Sequence, residues 1–174
     1  LTCLIDGEPV QALPVTDRGL SYGDGLFETL LVRDGCPCQW RRHWERLARG
    51  CRRLVLTPPA ESTLVEETGR LLVGVDTGVI KILVTRGDGG RGYAPPQGGR
   101  SRRILARFPA PEYPCAWHDA GVVVRTCRTP ATQNPAFAGL KHLNRLDSVL
   151  ARAEWSDPGI AEGLLIGPDG DLAG

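Results

Sequence analysis

Gly78-Val-Ile-Lys-Ile-Leu-Val-Thr85 runs directly into Arg86-Gly-Asp-Gly-Gly-Arg-Gly-Tyr93. After Pro95, Pro96 and Gly98-Gly99 the chain resumes as Arg102-Arg-Ile-Leu-Ala-Arg-Phe108. The first stretch is rich in β-branched residues and reads as a strand. Glycines and prolines then interrupt it, and the second apolar stretch reads as a strand that returns to pair with the first. Side chains alternate across a strand, so Lys81 points to the face opposite Ile80 and Ile82. Residues 78–108 therefore predict a sheet whose two strands are joined by a long, glycine-rich loop.

Toward the amino end, Thr2–Ile5, a turn at Asp6-Gly7 and Val10–Leu13 read as a small hairpin. Leu26–Val32 is a strand, and Arg33-Asp34-Gly35 turns it into Cys36–Trp40. A helix is predicted from His43 to Leu54, where Trp44, Leu47, Cys51 and Leu54 recur at helical spacing. Pro58 and Pro59 punctuate, and Glu61–Val73 is a second helix with Leu64 and Leu71-Leu72 turned inward.

Pro109–Pro114 reads as an interdomain linker. Beyond it, Gly121–Cys127 is a strand, Asn144–Trp155 a helix and Ala161–Ile166 a strand. Pro168-Asp-Gly170 is a turn with almost no returning strand after it. The expected organisation is an amino-terminal α/β domain over residues 1–111, a linker over 112–120 and the opening of a second domain over 121–174. Strands and helices alternate poorly and no GxGxxG follows a strand, which argues against a doubly wound sheet.

Composition narrows the function classes. The 174 residues are 41% hydrophobic and 24% charged, with a formal net charge of +1. That is globular composition, and it offers no electrostatic footprint for a polyanion or a membrane surface. Neither a signal peptide nor a spanning apolar run is visible. The six cysteines contain no CxxC pair, and Cys36 and Cys38 are too close for an ordinary bridge, so reduced thiols and a cytoplasmic location are expected. Methionine is absent and just two residues are lysine, Lys81 and Lys141. Any lysine-dependent chemistry has two candidates.

Lys141 sits in Phe137-Ala-Gly-Leu-Lys-His-Leu-Asn-Arg-Leu146, in irregular structure before a helix. A partly desolvated lysine loses basicity and becomes a nucleophilic amine, able to form a Schiff base with a carbonyl. Its bland alternative is a solvated cation. Arg42, Arg46, Arg49 and Arg53 line one face of the first helix, either as a solvated stripe or with one of them gripping a phosphate. In the loop, glycines allow close backbone approach while Arg91 and Tyr93 could hold carboxylates. The loop lacks GxxxxGK[ST] and is no P-loop.

Five segments in order, Asp17-Arg-Gly19, Tyr22-Gly-Asp-Gly-Leu-Phe-Glu-Thr29, His43-Trp-Glu-Arg-Leu47, Thr85–Tyr93 and Gly139–Leu146, resemble the fold-type IV pyridoxal-phosphate enzymes. That class, the class IV aminotransferase family, includes branched-chain and D-amino-acid aminotransferases and 4-amino-4-deoxychorismate lyase. Gly-Gly-Arg-Gly-Tyr93 and Lys141-His-Leu-Asn-Arg-Leu146 are most similar to the lyase branch. The resemblance implies an α+β, two-domain enzyme, a homodimer acting on a small molecule, with pyridoxal 5'-phosphate as cofactor. Its reaction would convert 4-amino-4-deoxychorismate to 4-aminobenzoate and pyruvate, in folate biosynthesis.

By the same resemblance, Lys141 would hold the cofactor covalently and move protons once released. Arg46 would bind its phosphate, with Asn144 and Arg145 nearby, and Arg91 and Tyr93 would contact substrate carboxylates, often across a dimer interface. Arg145 stands where aminotransferases tend to carry a tyrosine. The class places a glutamate beside the pyridine nitrogen, beyond Gly174, so a complete enzyme is expected to continue by roughly 100 residues. An aminotransferase of the same fold is the nearest alternative. An RNA-binding module built on the arginine stripe is a distant one, disfavoured by the balanced charge.

Overall fold

The computed structural model describes residues 2–10 and 12–173. The chain divides into two compact units, one of Leu1–Pro111 with Leu140–Leu143, the other of Glu112–Gly139 with Asn144–Gly174.

The first unit is built on a five-stranded sheet of β1 (Cys3–Ile5), β2 (Gly25–Arg33), β3 (Cys36–Pro37), β4 (Gly78–Thr85) and β5 (Arg102–Phe108), in the order β1-β5-β4-β2-β3. Every pairing is antiparallel. Strands β4 and β5 have the predicted bounds and pair directly, from Val79 with Phe108 to Thr85 with Arg102. Alternation gives the sheet two unlike faces. Leu26, Leu30, Val32, Ile80, Ile82, Val84, Leu105 and Leu4 are buried on one, under Leu47 and Cys51 of α2 (Trp40–Arg53) and Leu64 and Leu71 of α3 (Glu61–Leu71). A short α1 (Arg18–Tyr22) precedes β2.

Gly50 lets α2 settle on the sheet, since a Cβ there would stand 2.8 Å from Leu26 Cδ1. Burial pushes the Cys51 thiol up to about 11, consistent with an inert packing role.

Several predicted boundaries move, each for a local reason. The Asp6-Gly7 turn forms, but the arm predicted over Val10–Leu13 shrinks to a single bridge of Ile5 with Glu8; Gln11 lies outside the described residues. Strand β3 stops at Pro37 because Gln39 takes a left-handed conformation (φ 56°), which starts α2 at Trp40, three residues early. Asp34 and Gly35 are both left-handed, as a tight hairpin turn requires.

The second unit contains α4 (Ala116–Ala120), β6 (Val123–Thr126), α5 (Leu146–Arg152) and β7 (Ile160–Leu164), with β6 and β7 paired in parallel. Helix α4 lies within the stretch 112–120 read as linker. Helix α5 is shorter than predicted: Arg145 is neither helical nor extended (φ −128°, ψ 27°), and Trp155 leaves the helix to pack with Cys127 and Ala151, its indole N–H donating to Ile160 O at 3.2 Å. The Pro168-Asp-Gly170 turn does find a returning arm: Ala173 N–H donates to Leu165 O at 2.9 Å and Gly167 N–H to Asp171 O at 2.8 Å.

Candidate active site

Lys141 belongs to the first unit. The stretch 140–143 lies alongside the start of β2: Phe27 N–H donates to Lys141 O at 2.9 Å and Leu143 N–H to Gly25 O at 3.1 Å, with Leu26 bridged to His142. Gly25 makes room for it, since a Cβ would stand 2.8 Å from Leu143 Cδ1 and 2.5 Å from Val84 O. Paired residues of antiparallel strands share a face. Leu140 therefore enters the core, while Lys141 lies on the face opposite α2 and α3, where its Nζ stands over the Phe27 ring, 4.5 Å from the centroid. The other lysine comes to the same ring, Lys81 Nζ lying 5.3 Å from the centroid.

Arg46 approaches β2 from the helix side. Its Nε donates to Glu28 Oε1 at 2.7 Å and its Nη2 to Oε2 at 2.5 Å, a bidentate pair, and His43 Nδ1 lies 2.7 Å from the same carboxylate. The Glu28 side chain is 1% exposed and that of Arg46 41%. Phe27 and Glu28 are neighbours on β2, so Lys141 and Arg46 are addressed from opposite faces of that strand. Arg46 also departs from the stripe of Arg42, Arg49 and Arg53, which are exposed.

Arg91 and Tyr93 stand exposed on the glycine-rich loop, whose backbone is held from below. Arg18, 4% exposed, donates through Nη1 to Gly92 O at 2.9 Å and Nη2 to Tyr93 O at 3.1 Å. Its Nε pairs with Asp24 at 3.0 Å. Tyr22 accepts from Gly92 N–H at 3.0 Å and meets the Tyr93 ring edge-on.

Asp24 also takes Arg86 at 2.7 Å, and Arg86 reaches on to Leu54 O and Val55 O at the end of α2. Burial pushes the Asp24 carboxyl up, but the hydrogen bonds and charges of Arg86 and Arg18 outweigh it and hold it below its ordinary value. At the base of the loop, buried Asp17 accepts from Thr85 Oγ1 at 2.9 Å and Arg102 Nη1 at 2.5 Å, while Arg102 also grips Asp88.

Asn144 and Arg145 belong to the second unit, at the start of α5, Asn144 exposed and Arg145 half-buried.

Glu28, Phe27, Arg18 and Asp24 lie inside the family-like segments, and nothing in the sequence pattern gives them a role in the site. The clearest signal was Glu28, a carboxylate at a core-facing position between Leu26 and Leu30.

A family model described as amino-transferase class IV matches residues 25–173. The chain belongs to the class IV aminotransferase family. Over 150 residues, 86% of its length, it is 33% identical to an aminodeoxychorismate lyase of Vibrio harveyi. A crystal structure of 4-amino-4-deoxychorismate lyase from Pseudomonas aeruginosa is 50% identical, covers 98% of this chain and superposes with a TM-score of 0.91. A bifunctional aminodeoxychorismate lyase / D-amino acid transaminase of Mycobacterium tuberculosis is 35% identical over 100 residues, 52% of this chain and 34% of that protein. The chain spans 55% of the Vibrio harveyi protein and 63% of the Pseudomonas aeruginosa one.

The family implies pyridoxal 5'-phosphate, and the donor set fits it. Lys141 supplies a primary amine beside an aromatic ring. Glu28 engages Nε and Nη2 of Arg46, which leaves Nη1 of a part-exposed guanidinium for a phosphate.

Proposed function

We propose that this chain is part of a pyridoxal-phosphate lyase that converts 4-amino-4-deoxychorismate to 4-aminobenzoate and pyruvate. The observation that carries the reading is the 50% identity, over 98% of the chain, to the Pseudomonas aeruginosa lyase. When bound, the cofactor supplies an electron sink for bond cleavage next to the substrate amine.

The chain's own residues do the rest. Lys141 would attach the cofactor through Nζ, and once displaced its amine would take the proton from the amine-bearing ring carbon and give a proton to the departing enolpyruvyl group, which leaves as pyruvate while the ring becomes aromatic. Phe27, across the ladder from Lys141, holds that amine at an apolar surface. Arg46 binds the phosphate, oriented by Glu28. Asn144 and Arg145 join the cofactor's surroundings. Arg91 and Tyr93 orient substrate carboxylates, on a loop that Arg18 holds in shape.

The working enzyme is read as a cytoplasmic homodimer that takes a small molecule, with no nucleic-acid or membrane partner. All six cysteines are unpaired, in keeping with a reducing compartment. Among the described residues no helix is long and apolar enough to cross a membrane.

A second reading, transamination of D-amino acids, is favoured by the likeness to the bifunctional Mycobacterium tuberculosis protein. Full-length enzyme supplied with aminodeoxychorismate, and separately with D-alanine or a branched-chain amino acid plus 2-oxoglutarate, separates the two. The lyase reading expects 4-aminobenzoate without a keto acid. Amino exchange that requires the keto acid and yields no 4-aminobenzoate would replace it by the aminotransferase.

A further inference from the structure

Glu28 has a second donor besides Arg46. His43 Nδ1 lies 2.7 Å from Oε2, the oxygen that Arg46 Nη2 also takes at 2.5 Å. An ionised carboxylate only accepts, so Nδ1 carries the proton of this bond whatever the charge of the ring. His43 and Arg46 are three residues apart on α2 and share a helix face, Nη2 standing 3.5 Å from Nδ1. On its other side Glu28 borders an apolar hollow walled by Leu30, Trp40, Trp44, Leu47, Leu64 and Ile82. Among the described residues its side-chain hydrogen bonds come from Arg46 and His43.

The two donors differ in stiffness. Arg46 ends a long stem and its side chain is 41% exposed, whereas the shorter His43 side chain is 21% exposed. Fixing the arginine costs more side-chain entropy, so a carboxylate held by the histidine is a better anchor than one held by the arginine alone. A phosphate arriving at Nη1 of Arg46 adds an anion beside Glu28, and one guanidinium does not neutralise both. A buried carboxylate that loses a donor is costly. His43 keeps Glu28 partnered and in place while Arg46 shares its charge.

We propose that His43 is a positioning residue of the cofactor site: by donating Nδ1–H to Glu28 it holds the carboxylate that orients Arg46, and so strengthens the grip of Arg46 on a phosphate monoester. His43 acts through Glu28 and Arg46 rather than on the phosphate itself. The proposal rests on the reading of Arg46 as the phosphate ligand, and it holds for a lyase and an aminotransferase alike.

The test titrates full-length apoprotein with pyridoxal 5'-phosphate and with pyridoxal, which lacks the phosphate, and reads the ratio of the two affinities. A packing defect weakens both ligands alike and leaves the ratio unchanged. Arg46→Ala lowers the ratio about tenfold or more, the size of one charge-assisted hydrogen bond, and His43→Phe, which keeps a ring without a donor, lowers it about fivefold. His43→Asn, whose amide N–H is attached where Nδ1 is, keeps most of the parent ratio. In the Arg46→Ala background His43→Phe changes the ratio no further. An unchanged ratio in His43→Phe while Arg46→Ala is effective overturns the role of His43 and leaves Arg46 as the phosphate ligand. An unchanged ratio in Arg46→Ala overturns the phosphate reading and the proposal with it. Equal losses in His43→Phe and His43→Asn, or a further fall when His43→Phe is added to Arg46→Ala, also overturn the proposal, since His43 would then act neither through its N–H nor through Arg46.

Discussion

Glu28 holds Arg46 by both carboxylate oxygens, Nε to Oε1 at 2.7 Å and Nη2 to Oε2 at 2.5 Å, so the arginine assigned to the cofactor phosphate is also the partner of a buried acid. Arg46→Ala therefore has two effects. It leaves Glu28 buried with His43 alone, which costs roughly 3 kcal/mol of apoprotein stability, and it removes a phosphate contact. Pairing it with Glu28→Gln separates them. The double variant recovers most of the apoprotein stability in urea unfolding but not the cofactor affinity. Arg49→Ala, on the exposed side of the same helix, is neutral in both. Recovery of cofactor affinity by the double variant would show that Arg46 acts through Glu28 alone.

Arg18 fixes the shape of the loop that carries Arg91 and Tyr93. Arg18→Ala removes its bonds to Gly92 O and Tyr93 O and its pair with Asp24, which keeps Arg86, at a cost of about 2 kcal/mol. Amide exchange across residues 89–93 accelerates, and KM for the substrate rises while cofactor affinity is kept. Unchanged exchange in the loop would show that Arg18 does not position it.

Val55, just past the end of α2, is left-handed with φ 53° and 83% exposed. A β-branched residue is strained there and packs against little. Val55→Gly raises stability by about 1 kcal/mol, measured as a shift in the urea midpoint at constant m. A lower midpoint would show that the left-handed conformation is not populated.

In the second unit, Glu154 accepts the backbone N–H groups of Arg128 at 2.9 Å and Thr129 at 2.7 Å. These bonds, Arg128 first, bring its carboxyl from 4.5 down to about 2 in the folded protein. A depressed folded-state value means that its stabilising contribution is full above the ordinary value and is lost as pH falls from about 4.5 to about 2. The stability gap between the parent protein and Glu154→Gln therefore narrows across that window. A gap that stays constant down to pH 2 would contradict the assignment.

What the sequence made legible follows from locality. Strands β4 and β5 and the Asp34-Gly35 turn are written in β-branched runs and turn residues, and they appear at their predicted places. Lys81 lies on the face opposite Ile80 and Ile82, as alternation requires. The convergence of Lys81 and Lys141 on Phe27 was not legible, because it depends on residues 140–143 docking beside β2 more than a hundred positions away in sequence. The Glu28–Arg46 pair was missed for the same reason: the arginine stripe is a helical pattern, and what singles out Arg46 is an acid on a strand. Boundaries slipped where one residue changed backbone region, as Gln39 did.

The measurement that bears most directly on the account is the site of covalent cofactor attachment. Lys81 and Lys141 both face Phe27, so each is a physical candidate for the amine. Full-length protein reduced with borohydride and mapped by peptide mass spectrometry is expected to carry the pyridoxyl group on Lys141. Lys141→Ala should then lose it, and Lys81→Arg keep it. A pyridoxyl group found on Lys81, or none on either lysine, would contradict the assignment.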